Sequence, residues 1–159
     1  MKIFDLLKKS ISTDSTEIKK RTLKKEDFNV AGVYYYENNI KKLACSNKDY
    51  RASAKTNISD GLVMKRIYQY DYINKPVKLV PEPKNPHDKN AIMVMIAGEK
   101  VGYISAEECA HLHYILNKCD IKFISSHITG GKYKVVSLNG DVGIIENDIS
   151  VTVRIGYAD

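Results

Sequence analysis

The chain has 159 residues, three cysteines and a formal net charge of +6. Its length supports one domain with a buried core and leaves little room for a second. No apolar run approaches the ~20 residues of a membrane-crossing helix, and the odd, irregularly spaced Cys45, Cys109 and Cys119 fit a reducing cytoplasm better than a secreted disulfide framework. The charge is uneven. Residues 1–26 hold eight Lys/Arg against four Asp/Glu (net +4), and residues 27–159 hold 17 against 15 (net +2). Charge alone therefore does not point to nucleic acid; any attraction to phosphates has to come from a local patch or the first segment.

In chain order, Ile3, Phe4, Leu7 and Ile11 recur at helical spacing with Lys8 and Lys9 opposite, predicting a short helix over residues 2–11. Asp5 interrupts MKIFDLLKK, which makes it a poor signal peptide. Asp14 with Glu17 can cap a second helix over Ile18 to Lys25, which has only Ile18 and Leu23 to bury. Residues 1–26 are thus expected to be a basic N-terminal segment, helical or mobile. It is either simply solvated or laid along phosphates, with the domain proper at 27–159.

Phe28, Val30, Gly32 and Val33 open the β part and are expected to run on through Tyr34, Tyr35 and Tyr36. Residues 37–66 are the least patterned, with a turn signal at Asn38-Asn39 and a polar, loop-like stretch from Ser46 to Asn57. Tyr68, Tyr70 and Tyr72 then alternate strictly, placing all three on one face of a strand over Ile67–Ile73. Their rings either form a stacking platform or line the edge of the core. A strand over Lys75 to Val80 leads into a loop stiffened by Pro81, Pro83 and Pro86, which carries Asn85, His87, Asp88, Lys89 and Asn90. Ile92, Val94 and Ile96 alternate with Ala91, Met93 and Met95; a type II′ turn at Gly98-Glu99 returns the chain through Val101 to Ile104.

Ser105 and Glu108 form a capping-box pattern for a helix over Ala106 to Lys118, with Cys109, Ala110, Leu112, His113 and Leu116 on its inner side. Beyond it, Ile121, Phe123 and Ile128 lead to a turn at Gly130-Gly131, and Tyr133, Val135 and Val136 to a hairpin turn at Asn139-Gly140. Val151, Val153 and Ile155 mark the last strand. The class is mainly β with α: a small closed or half-closed barrel, one helix at 106–118 and the basic N-terminal segment.

No catalytic pattern is present. Cys109, His111, His113 and Cys119 have metal-ligand chemistry, but residue 111 points almost opposite to 109 and 113 on a helix, so they cannot converge on a tetrahedral ion. No nucleophile elbow, phosphate loop or carboxylate pair occurs, so neither an enzyme, a metal nor a cofactor is expected. The stiff polar loop on a hairpin is the arrangement of a binding site. Within it, Asp88 and Asn90 either close turns on their own backbone or face a ligand.

The run Glu-Pro-x-Asn-Pro-x-Asp-x-Asn-Ala-Ile at Glu82–Ile92, followed by Val-Gly-Tyr-Ile at Val101–Ile104, resembles a HIRAN domain, and Phe28-Asn-Val-Ala-Gly-Val33 resembles its opening strand. The resemblance covers roughly residues 27–159 and fits the free-standing bacterial and phage members. It implies a barrel of the OB or SH3-like kind. It also implies a non-catalytic module that grips free 3′-hydroxyl ends of single-stranded DNA in repair or replication. By position, Asp88 would accept from the terminal hydroxyl with Asn85 beside it, and Tyr35 would stack on a base. Three places depart from that pattern: Tyr34 stands for a basic residue, His87 for a Tyr, and Tyr103 and Ala106 for a His and a Lys. The resemblance thus places the nucleic-acid site at Tyr34, Tyr35, Asn85, His87, Asp88 and Tyr103, with single-stranded DNA (or RNA) and a DNA-processing protein as partners and no membrane. The alternative is a protein-interaction or regulatory module without DNA binding, for which the nearly balanced charge and missing cations argue.

Overall fold

The computed structural model describes residues 21–159, so the helix expected over residues 2–11 lies outside the described residues. Of the second expected helix, Lys24 and Lys25 instead open strand β1 (Lys24–Ala31). A short 3-10 turn (Val33–Tyr36) and helix α1 (Glu37–Lys42) follow, so the three adjacent tyrosines sit on a turn, where the sequence suggested a strand. Next come β2 (Cys45–Ser46), α2 (Lys48–Arg51), α3 (Ala54–Ser59), β3 (Ile67–Tyr68), β4 (Tyr70–Asp71) and β5 (Val77–Pro81). The hairpin is β6 (Ile92–Ile96) and β7 (Glu99–Ile104); helix α4 (Ala106–Lys118) and the long strands β8 (Asp120–Val136) and β9 (Val142–Ala158) complete the chain.

Among the described residues, seven strands form one antiparallel sheet in the order β3-β8-β9-β1-β7-β6-β5. Strand β1 is its corner. Lys24 to Asn29 pair with β9, and then Val30 and Ala31 change partner to Ile104 and Tyr103 of β7. The buried faces of both halves meet α4, whose Cys109, Leu112 and Ile115 pack with Phe28, Ile92, Val94, Val101, Val153 and Ile155 into one core. Mainly β with helices is therefore what the molecule has. Among the described residues, the barrel is not closed by hydrogen bonds. Strands β3 and β5 remain edges; β3 has only two residues, and Pro76 and Pro81 bracket β5 with positions that have no N–H to donate.

Several turns differ from expectation for local reasons. The hairpin turn is centred on Ala97-Gly98, both at positive φ (47° and 83°), with Ile96 paired to Glu99; that is type I′, not a II′ turn at 98–99. Gly130-Gly131 is a bulge inside continuous β8, where the register against β9 shifts, rather than a turn. The Asn139-Gly140 hairpin turn does form, between β8 and β9. The capping box does not. Glu108 instead accepts from the Asn29 backbone N–H at 2.7 Å, tying α4 to β1.

Residues 44–66, polar and unpatterned, are held by polar contacts. Asn57, fully buried, donates to Asp49 O at 2.9 Å, and the buried Lys134 ammonium of β8 donates to Ala52 O at 2.7 Å. Burial lowers the pKa of Lys134, and its backbone acceptor compensates for part of the lost hydration.

Candidate nucleic-acid interface

The proline loop is built from its own backbone bonds. Glu82 N–H donates to Ala91 O, Asn85 N–H to Glu82 O and Ala91 N–H to Asp88 O, at 2.9, 2.9 and 3.1 Å. Asn85 is the internal scaffold. Its Oδ1 accepts from the backbone N–H groups of His87 and Asp88, and its Nδ2 donates to Glu82 Oε2 at 2.9 Å. Those bonds use both acceptor positions of Oδ1 and one of the two Nδ2 hydrogens, leaving one amide hydrogen to donate. Asp88 closes the Asx turn that was one of its two readings, accepting from Asn90 N–H at 2.8 Å through Oδ1. From α4, His113 Nε2 reaches Asn90 O at 2.9 Å and braces the far end of the loop.

Against this loop lies a cavity of about 600 Å3, lined by Glu82, Pro83, Lys84, Asn85, Pro86, His87 and Tyr103. It brings three of the expected residues together: Asn85, His87 and Tyr103. Asp88 is not among its lining residues. Tyr34 and Tyr35 stand on the 3-10 turn, 81% and 83% exposed and edge-on to each other with centroids 5.8 Å apart. That exposure is far beyond what core packing requires. Tyr36, the third of the run, joins this turn to the cavity through Lys100.

Lys100 and Glu82 are the residues that sequence reasoning missed. On a regular strand, positions 100 and 103 face opposite ways. The bulge in β7 gives Val94 and Met95 the partners Gly102 and Lys100, so Val101 is an extra residue and Lys100 comes to the side of Tyr103. The Lys100 ammonium donates to Tyr103 Oη at 2.7 Å, and Tyr103 donates to Glu82 Oε2 at 3.1 Å. The same ammonium lies 5.1 Å from the Tyr36 ring centroid. Its 4.4 Å separation from the Tyr103 centroid follows from the hydrogen bond to that ring's own hydroxyl and is not a face-on contact.

This chain fixes charge as well as geometry. The Tyr103 hydroxyl, followed by Tyr36, pushes the Lys100 pKa up, so the cation is held. The Asn85 amide, then the Tyr103 hydroxyl and the Lys100 charge, keep the Glu82 carboxyl below the usual range. Tyr103 is thus locked between a cation and an anion as a rigid aromatic wall, the condition under which stacking costs least side-chain entropy. Elsewhere, the four metal-type side chains of α4 and its end have separate partners: Cys109 Sγ with Ile104 O, His111 with Glu26, His113 with Asn90, Cys119 with Asp159. Among the described residues, no helix is long and apolar enough to cross a membrane.

Comparison with known proteins gives three findings. The HIRAN domain model matches residues 24–138, from the first residue of β1 to just past the end of β8. Among solved structures, the crystal structure of the HIRAN domain of human HLTF is similar, at 20% identity and a TM-score of 0.42, covering 84% of this chain and 74% of that one. No curated protein matches. With the family model spanning most of its length, including the proline loop and the hairpin that carries it, this chain belongs to the HIRAN domain family.

Proposed function

We propose that this protein is a non-catalytic module that binds single-stranded DNA and holds its free 3′-hydroxyl end in the cavity between the proline loop and Tyr103. The observation that carries the reading is the pairing of that open cavity with a fixed tyrosine wall and, through Lys100 and Tyr36, with two tyrosines more than 80% exposed. Tyr103 and His87 take the last base, and Tyr35 takes a neighbouring one; such stacking contributes about 1–3 kcal/mol per base whatever the sequence. Lys100 and Lys84 supply the cations that the family pattern places elsewhere.

End selectivity comes from acids at the cavity. Glu82 is one of its lining residues; Asp88 is not, but it follows the lining His87 in the loop and has one carboxylate oxygen taken by Asn90 N–H. Carboxylates accept from a neutral hydroxyl and repel a phosphate dianion. Asn85 serves as the scaffold of this site, and its remaining amide hydrogen is left for the terminal sugar. The test is fluorescence anisotropy with short oligonucleotides that end in 3′-hydroxyl or 3′-phosphate, using wild type, His87→Ala and Asp88→Ala. The expected result is tighter binding of the hydroxyl end, weakened by His87→Ala, with end preference reduced in Asp88→Ala. Equal affinity for both ends, or binding of neither, contradicts the proposal.

A further inference from the structure

A second aromatic feature lies outside the proline-loop cavity. After β3 the chain crosses the bulge of β8, with Gln69 N–H donating to Lys132 O at 2.8 Å, and β4 then pairs with β2. The expected single strand is therefore broken into two pieces, yet Tyr68, Tyr70 and Tyr72 still line one cavity of about 200 Å3 with Asp71, Ile128, Thr129 and Gly130. Tyr70 and Tyr72 also line a neighbouring cavity of about 220 Å3, with Glu37, Lys41, Lys132 and Glu146 at its polar side. The two rings stand between two slots.

Both slots are smaller than the roughly 300–1,000 Å3 of a small-molecule pocket, a size that suits one planar base each. Gly130 and Gly131 line the second slot without side chains to fill it. Tyr70 is 38% exposed. Tyr72 packs on the core with one side, and burial pushes its hydroxyl pKa up. One ring is accessible and the other is rigid.

Helix α1 connects this feature to the proline loop. On one side it is tied to the start of β7, through Asn39 Nδ2 donating to Lys100 O at 3.0 Å and Lys42 to Glu99 at 3.1 Å. On the other side Glu37 and Lys41, themselves ion-paired at 3.6 Å, line the tyrosine slot. Helix α1 therefore lies between the start of β7, which carries Lys100, and the tyrosine slot.

We propose that Tyr70 and Tyr72 form a second stacking subsite on the same single strand, taking bases upstream of the end held at the proline loop. The inference rests on the nucleic-acid reading above and adds a path to it: from Tyr103 past Lys100 and Tyr36, over α1, to the β8 bulge. Lys41 and Lys132 lie along the last part, each paired with a carboxylate (Glu37 at 3.6 Å, Glu146 at 4.0 Å) that it exchanges for a phosphate when the strand binds.

The experiment uses the full chain and 5′-labelled oligothymidylates of two, four, six and eight nucleotides with free 3′-hydroxyl ends. Wild-type affinity should step up between two and six nucleotides. Tyr70→Ala should weaken hexamer binding about tenfold and leave the dinucleotide unchanged, whereas His87→Ala should weaken every length. A hexamer carrying 5-iodouracil in its 5′ half should photo-crosslink to the peptide containing Tyr70 and Tyr72. If end-dependent binding shows no length step, or Tyr70→Ala matches wild type at every length with the crosslink elsewhere, the subsite is overturned and the end site stands. If no length binds, the end-site reading fails and the subsite falls with it.

Discussion

Gly102 decides whether the two halves of the sheet can meet. It pairs with Val94 in the hairpin and lies under the corner where β1 changes partner. A Cβ built there would stand 2.4 Å from Ala31 O and 2.7 Å from Val30 Cγ1, at a φ of +149°. Both obstacles are anchored: Ala31 is backbone within β1, and Val30 belongs to the core. Gly102→Ala therefore costs about 1–3 kcal/mol for overpacking and about 1–3 kcal/mol for the backbone region, or roughly 2–6 kcal/mol in all. That is a large part of the ~5–15 kcal/mol that holds an ordinary domain. Gly98→Ala is the internal comparison, because its φ is +83° but no atom lies within 4 Å; only the left-handed backbone cost of about 1–2 kcal/mol applies. Urea unfolding followed by circular dichroism reads the difference as midpoints, with slopes of about 1–3 kcal/mol/M. Gly102→Ala should unfold well before Gly98→Ala. Equal midpoints for the two variants would refute the close approach of β1 and β7 on which the position of Tyr34 and Tyr35 depends.

Other outcomes follow from the same geometry. Ala97 occupies the first central position of a type I′ turn at φ 47°, so Ala97→Asn should stabilise the protein by about 1 kcal/mol, seen as a higher thermal midpoint. Lys100→Gln should weaken single-strand binding and reduce the slope of log affinity against log salt by about one. The Tyr157 hydroxyl donates to Glu26, and His111 contacts the same carboxylate at 2.7 Å. The Tyr157 bond, then His111, holds the Glu26 carboxyl below its usual 4.5, and Glu26 pushes the Tyr157 hydroxyl from 10.0 up to about 12. The depressed acid gives stability that is present above about pH 4.5 and lost as pH falls through its folded pKa. The raised phenol gives stability that is complete below pH 10 and lost as pH rises through about 12. Stability measured against pH should therefore fall on both sides, and Tyr157→Phe should flatten the alkaline limb.

The parts of the fold that were readable are those where one physical signal acts alone. Helix α4 follows from apolar spacing, and its bounds match the expectation of Ala106 to Lys118. Strand β6 alternates cleanly and buries Ile92, Val94 and Ile96. Where two signals share a pattern, the reading went astray. A Gly-Gly pair serves a turn or a bulge equally well, and only the pairing of β8 with β9 selects the bulge. The 44–66 lobe has no periodicity to read because Asn57 and Lys134, not an apolar face, hold it.

The site shows the same division. Its stiff loop was legible from three prolines, and Asn85, His87 and Tyr103 do share one cavity. Lys100 was not, because an extra residue in β7 reverses the side it faces, and that register depends on the partner strand. Glu108 shows why a local motif can mislead: its four-residue pattern fits a capping box, but a backbone N–H of β1, far away in sequence, takes the carboxylate.

The central claim is that the end of a single strand seats against the proline loop. A titration of isotopically labelled protein with a short 3′-hydroxyl oligonucleotide, followed by amide chemical shifts, tests it directly. The account predicts the largest changes at residues 82–91, 100–103 and 34–36, in saturable fashion. Saturable binding whose changes lie elsewhere, with the loop and Tyr103 unmoved, contradicts it.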